Sequence, residues 1–256
     1  MALLEIEHVT QQFGGLQALA DFNLALEARE LVAVIGPNGA GKTTVFNVVT
    51  GVYRPRVGSI KLGGMQVVGL PPNRITSLGI ARTFQNVRLF KDLSVLDNVR
   101  VAGYGQAQYG PMAALFQAGR CKREENGIID RSMELLSLFR LDGLADEHAR
   151  NLPYGLQRRL EIARALATKP RILLLDEPAA GMNPGEVGQL MELIGWVREA
   201  FEVAILLIEH QMQLVMNMCK RIVVLDFGKT IAEGSPAEIR SNKRVLEAYL
   251  GEDHVS

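Results

Sequence analysis

LVAVIGPNGAGKTTVFNVVT, Leu31 to Thr50, is the stretch that decides the fold. Leu31–Ile35 is a short apolar run of the kind that makes a strand buried on both faces. Gly36-Pro37-Asn38-Gly39-Ala40-Gly41-Lys42-Thr43-Thr44 then fits the pattern G-x-x-x-x-G-K-[ST], and a helical pattern opens directly behind it. The chemistry of holding phosphates dictates these residue types. Glycines let backbone N–H groups turn inward without a Cβ in the way. The helix N-terminus adds partial positive charge. Lys42 can bridge the β- and γ-phosphates of a nucleotide, and the Thr43 hydroxyl can ligate Mg²⁺.

On either side of this loop, short runs rich in Val, Ile and Leu alternate with helical patterns, which predicts an α/β protein with buried strands. Strands are expected at Leu3–Val9, Phe22–Leu26, Leu31–Ile35, Ser59–Leu62, Ile172–Leu175, Val203–Ile208 and Arg221–Leu225, the last paired with Thr230–Glu233. Asp226-Phe227-Gly228-Lys229 suits a hairpin turn between that pair. The first two runs suggest an antiparallel β layer beside the main sheet. From Val87 to Thr168 the pattern is helical, with an interruption at Gly103–Gly119. The expected organisation is one domain, with a helical subdomain at 87–168 inserted into an ATPase-like core of 1–86 and 169–256. Ser235-Pro236-Ala237-Glu238 reads as a capping box, with a last helix through Arg244–Leu250 to follow.

Composition narrows the classes of function. The 28 basic and 28 acidic residues of this 256-residue chain balance, which disfavours nucleic acid as a partner. Cys121 and Cys219 lie far apart without metal-ligand spacing, the pattern of a reducing compartment. The N-terminal MALLEIEHVTQQ lacks the basic start and apolar run of a signal peptide. Apolar runs such as Val203–Ile208 are too short to span a bilayer. A protein of this kind working at a membrane would be held there by another subunit.

Further residues could turn binding into hydrolysis. RILLLDEP, Arg171 to Pro178, ends an apolar run in two carboxylates. Asp176 could organise Mg²⁺, while Glu177, on the other side of the strand, could activate a water as general base. His210 follows AILLIE on the strand edge where such folds bind ligands. Gln85 follows IARTF, where its amide could touch both Mg²⁺ and the attacking water.

In this order Phe13, the Gly36–Thr44 loop, Gln85, Leu152–Gln157, Asp176-Glu177 and His210 resemble the ATP-binding subunit of ABC transporters over essentially the whole chain. The resemblance implies an α/β P-loop core with a helical subdomain, and two such domains dimerising head-to-tail around two ATP molecules. It implies that Phe13 stacks on adenine, that His210 contacts the γ-phosphate, and that Gln85 links the nucleotide to a membrane permease. RTFQNVRLFKDLSVLDNV, LLDEPAAGMNP, LLIEHQMQLVM and VLEAYLGE look like the branched-chain amino-acid uptake systems, in particular the longer of their two ATP-binding subunits. Such systems imply two permeases, a second and unlike ATPase, a periplasmic binding protein met only indirectly, and a place at the cytoplasmic face of the membrane. Another ABC system, such as lipopolysaccharide export, and a soluble ABC protein without a permease stay open as alternatives.

Two departures from the family pattern stand out. The signature, usually Leu-Ser-Gly-Gly-Gln, is here Leu152-Pro153-Tyr154-Gly155-Leu156. Proline removes a hydroxyl and a backbone N–H, leucine removes an amide, and the Gly155 N–H and the helix N-terminus remain. Proline also presets a helix start. Asn183, where the family usually has aspartate, reads equally as a helix N-cap and as a residue communicating across the dimer. Together these predict unequal ATP sites.

Overall fold

The computed structural model describes residues 2–106 and 119–250. They divide into two compact units, one made of the residues up to Gln85 and from Arg171 onward, the other of Asn86–Pro170.

The first unit opens with β1 (Leu4–Phe13), β2 (Leu16–Leu26), β3 (Leu31–Ile35), α1 (Lys42–Val49), β4 (Val57–Leu62), β5 (Met65–Gln66), α2 (Pro72–Ser77) and β6 (Ile80–Arg82). The second contains α3 (Val95–Gly103), α4 (Gly119–Leu138) and α5 (Tyr154–Leu166), with short 3₁₀ turns at Tyr104–Gln106, Asp142–Leu144 and Ala149–Asn151. The first then resumes with β7 (Ile172–Asp176), α6 (Pro184–Ala200), β8 (Ala204–Ile208), α7 (Met212–Met218), β9 (Arg221–Asp226), β10 (Lys229–Gly234), α8 (Pro236–Ser241) and α9 (Lys243–Leu250).

The first unit carries two sheets. An antiparallel sheet has the order β2-β1-β4-β5, which is the layer expected from the first two apolar runs. Its first two strands are longer than expected because register shifts between Ile6 and Val9, and again beyond, break the alternation that marks a strand in sequence. The main sheet has the order β10-β9-β3-β8-β7-β6, parallel except for β10. Its central strands β3, β7 and β8 are buried at every position. One apolar core takes in residues of both sheets and of α1: Val45 and Phe46 of the helix share it with Ile6, Phe22 and Ile60 of the antiparallel sheet and Val34, Leu174 and Leu206 of the main sheet. Burial of each such side chain contributes about 1.5–3 kcal/mol, which fixes the helix that carries Lys42 and Thr43.

β6 was not expected from the sequence. Ile80-Ala81-Arg82 is only three residues long, too short for a periodicity to register, and it pairs with β7 by tertiary context. The hairpin at Asp226–Lys229 does form: Phe227 and Gly228 have φ of 43° and 77°, the pair of positive values that a two-residue type I′ turn needs. The Gly228 amide donates to the Ala40 carbonyl at 2.9 Å, so this turn braces the Gly36–Thr44 loop from behind.

Asn183 caps α6. Its side chain accepts from the amides of Gly185 and Glu186, both at 3.0 Å, and the Glu186 carboxylate accepts from the Asn183 amide. Replacing Asn183 with Ala is expected to lower stability by about 1 kcal/mol, measurable by urea unfolding, with Asn183→Asp close to wild type. The Ser235 capping box with Pro236 at the first helical position is likewise present. Cys219 is buried, and burial pushes its thiol up to about 12, so it stays protonated.

Within the second unit no strand occurs among the described residues; the isolated bridge Ser94–His148 is the closest approach. Fully buried Asn98 holds the preceding loop, accepting from the Phe90 amide and donating to the Phe90 and Ser94 carbonyls. Of the Gly103–Gly119 interruption, residues 107–118 lie outside the described residues, as do the last two residues of VLEAYLGE.

Candidate active site

Four parallel strands, β3, β8, β7 and β6, end at the same sheet edge, and each is followed within three residues by a polar group singled out in the sequence. Gly36 and its loop follow β3, His210 follows β8, Glu177 follows β7 with Asp176 as its last residue, and Gln85 follows β6. Ligands bind at such an edge in open parallel sheets.

The loop is held by backbone approaches that only glycine permits. A Cβ on Gly36 would lie 2.0 Å from the Leu225 carbonyl oxygen, and one on Gly41 2.5 Å from that of Ala18. Gly41, at φ 106°, is the N-cap of α1 and supplies no side chain there. Lys42 is 6% exposed and donates to the Gly36 and Pro37 carbonyls at 2.7 and 2.8 Å. Its ammonium is thus folded over the loop it follows. Asn38, Gly39 and Thr43 are exposed, Thr44 is half-buried, and Pro37 and Ala40 are buried.

Glu177 sits at φ 43°, a left-handed conformation that costs a non-glycine residue about 1–3 kcal/mol. Its amide is tied to the Ile208 carbonyl at 2.9 Å, which turns the chain and presents the carboxylate beyond the strand. Gln85 Nε2 donates to Glu177 Oε2 at 2.7 Å, and His210 Nδ1 lies 3.6 Å from the same oxygen. The Glu177 side chain is largely buried and that of His210 half exposed. Residues from three strand ends therefore converge on one carboxylate.

Asp176 is bound differently. Its Oδ2 accepts from Arg82 Nη2 at 2.7 Å, in a pair where both side chains are 6% exposed. For Mg²⁺ the Asp176 carboxylate, the exposed Thr43 hydroxyl and the Gln85 amide oxygen are donors of the right hardness. Among the described residues no group of three or more His, Cys, Asp or Glu could cage a metal without help. A partial oxygen set suits Mg²⁺, which is normally held by one or two carboxylates, waters and substrate phosphates.

Phe13 ends β1 half exposed, its ring edge-on to that of Tyr53 with centroids 4.9 Å apart.

Comparison with known proteins identifies the family. Residues 19–180 match the family model described as ABC transporter, and residues 229–255 that of Branched-chain amino acid ATP-binding cassette transporter. The chain belongs to the ABC transporter family of ATP-binding subunits. It is 46% identical over 250 residues to the high-affinity branched-chain amino acid transport ATP-binding protein BraF of Pseudomonas aeruginosa, covering 98% of each chain. It is equally 46% identical over 250 residues to LivG of Escherichia coli, which carries the same description, again covering 98% of each. Among solved structures it is similar to the ADP conformation of MJ1267, an ATP-binding cassette of an ABC transporter, with TM-score 0.85, 30% identity and coverage of 98% and 99%. As a member of this family it is a nucleotide-binding, transport-coupled ATPase.

In this ATP-binding cassette the altered signature has a structural logic of its own. Pro153 is the N-cap of α5, one position before the first-turn place where proline is commonest, and it offers no side-chain cap. Its carbonyl accepts from the Leu156 and Gln157 amides, both at 3.0 Å, while Gln157 Nε2 donates to the Leu152 carbonyl. Tyr154, where the family pattern has glycine, is occupied within the helix. Its hydroxyl accepts from Arg158 Nη2 at 3.1 Å, and its ring lies 5.8 Å from the guanidinium. Arg158 Nη1 in turn donates to Glu161 Oε2 at 2.7 Å, both side chains being 1% exposed, and Glu161 Oε1 accepts from the Arg88 amide. The tyrosine is the outer end of a buried polar cluster, which a reading of donor loss alone did not reveal.

Arg82 and Glu209 also carry buried polar contacts at this site. Glu209 is fully buried after five apolar strand residues, and accepts from the amides of Ala179, His210 and Gln211. Burial raises its pKa, and these backbone amides partly offset the rise. A charged residue following an apolar run is the signal that points to Glu209, whereas Arg82 follows only Ile80-Ala81, too short a run to give one.

Proposed function

We propose that this chain is the ATP-hydrolysing subunit of a membrane importer for branched-chain amino acids. Near-complete coverage at 46% identity to proteins described as branched-chain amino acid transport ATP-binding proteins supports the substrate class. The convergence of Gln85 and His210 on Glu177, beside the phosphate loop's own strand edge, is the observation that carries the chemistry.

In this reading Gly36–Thr44 wraps the phosphates, Lys42 leaves the Gly36 and Pro37 carbonyls for the β- and γ-phosphates, and Phe13 stacks on adenine. Thr43, Asp176 and Gln85 would hold Mg²⁺, which would supply neutralisation of the phosphate charge. Glu177 accepts a proton from the attacking water, Gln85 orients both, and His210 steadies the γ-phosphate. Leu152, Pro153 and Gly155 present the start of α5 to the nucleotide of a second subunit. Asn183 adds a dimer contact to its capping role.

Hydrolysis is coupled to transport through partners. Two cassettes close on ATP and reopen after hydrolysis, and the helical subdomain at 87–168 with the Gln85 segment passes that motion to the permease. The second cassette is an unlike subunit, because the signature here lacks donors that a fully active site needs. A periplasmic binding protein delivers the amino acid and does not touch this chain. Among the described residues no helix is long and apolar enough to cross a membrane. In the proposed assembly the permease holds this subunit at the cytoplasmic face. Affinity capture of the tagged chain from native membranes tests this assignment. Recovery of two integral membrane subunits and a second cassette is the expected result, and recovery of no membrane protein would contradict it.

A further inference from the structure

The geometry points to Arg82 as a positioning residue for Asp176, one that holds a single carboxylate oxygen on the protein and so aims the other at the metal. This inference rests on the reading of Asp176 as the residue that organises Mg²⁺.

Arg82 is fixed on four sides. Nη2 donates to Asp176 Oδ2 and Nη1 to Asn47 Oδ1, both at 2.7 Å. The ring centroids of Phe46 and Phe84 lie 5.4 and 4.8 Å from its guanidinium carbon. A guanidinium is suited to this because its charge and its donors lie in one rigid plane that also packs against rings.

The partners belong to different parts of the site. Asp176 closes β7, Asn47 and Phe46 lie on α1 behind Lys42 and Thr43, and Phe84 directly precedes Gln85. One side chain on the edge strand thus ties the carboxylate to the helix that carries the phosphate loop. No other described residue hydrogen-bonds the Asp176 carboxylate, so Arg82 alone sets its orientation within the first unit. Residues that hydrogen-bond a ligating carboxylate in this way tune metal affinity. A second consequence follows from charge. Asp176 is paired with a buried cation, which offsets the cost of keeping its carboxylate at 6% side-chain exposure.

The test is titration of Mg²⁺ into the full-length chain with a non-hydrolysable ATP analogue, against binding of the same analogue in EDTA. Arg82→Lys keeps the charge but loses the fork. It is expected to raise the Mg²⁺ needed for half-maximal tightening about 10-fold, with affinity in EDTA unchanged within about twofold. Asn47→Ala leaves the Arg82–Asp176 contact in place but frees the guanidinium on one side. It should shift the Mg²⁺ requirement in the same direction by about threefold, and it serves if Arg82→Lys does not fold. Equal losses with and without metal would reduce Arg82 to packing, and a lower Mg²⁺ requirement would make it a competitor of the metal; either overturns the inference. Asp176→Asn separates the two readings. If it abolishes the metal-dependent gain while the Arg82 and Asn47 variants keep theirs, only the positioning role fails. If it leaves the gain intact, the assignment of Asp176 to the metal fails as well.

Discussion

Glu177→Gln is expected to lower ATP turnover of the assembled transporter by at least about 10²-fold while leaving nucleotide affinity within a few-fold of wild type. Glutamine keeps the shape of the side chain and can still accept from Gln85 Nε2, which lies 2.7 Å from Glu177 Oε2. It cannot accept a proton from water. The strained backbone at φ 43° is the same in both forms, so stability should hardly change. A loss of turnover matched by a loss of thermal stability would instead mean that Glu177 only maintains the turn after β7. The equivalent substitution in the partner cassette is expected to cost much less. In the proposed dimer that partner's carboxylate would act on an ATP completed by the Leu152–Leu156 signature of this chain, where Pro153 lacks the N–H and the hydroxyl of the usual serine. Equal losses from the two substitutions would argue against unequal sites.

The second large effect concerns the cluster behind Tyr154. Glu161→Ala is expected to destabilise the protein by about 3–5 kcal/mol, because it removes the carboxylate with which the buried Arg158 guanidinium is paired. Arg158 and Glu161 are each 1% exposed and pair at 2.7 Å, so water cannot replace the lost carboxylate without opening the helix. The Arg88 amide loses its acceptor in the same substitution. The transition temperature should fall by about 10 °C for a chain of this size, as read by calorimetry. Replacing both partners by apolar residues, Arg158→Met with Glu161→Leu, should recover most of that loss, since no unpaired charge is left inside. If the double variant is as unstable as the single one, the pair contributes through shape and hydrogen bonding rather than through its charge balance.

These two residues illustrate how far the sequence could be read. Glu177 was legible because a carboxylate pair at the end of an apolar run, after a complete phosphate loop, has a chemical reason to be there. The main-sheet strands were legible for a related reason: Ile172–Asp176 and Ala204–Ile208 are buried on both faces, so their apolar runs are continuous. Arg158 and Glu161 were not legible. In a helix of charged and apolar residues an Arg–Glu pair three apart reads as a solvated face, and only tertiary packing seals it. Arg82 was hidden by the brevity of β6, and the full lengths of β1 and β2 by bulges that reset the alternation. The role of Tyr154 lay between these cases. The sequence marks it as a departure, while its Arg158 partner four residues on explains what the tyrosine does in the helix.

The central claim is that ATP hydrolysis by this chain drives branched-chain amino-acid uptake. Its most direct test is uptake of radiolabelled leucine by vesicles containing the co-purified permease and partner cassette, loaded with ATP and Mg²⁺ and supplied on the outside with the periplasmic binding protein. With the wild-type chain, leucine should accumulate against its gradient, and Lys42→Ala or Glu177→Gln should reduce accumulation to the level seen without ATP. Undiminished accumulation with either variant, or none of leucine, isoleucine or valine with the wild type, would contradict the account.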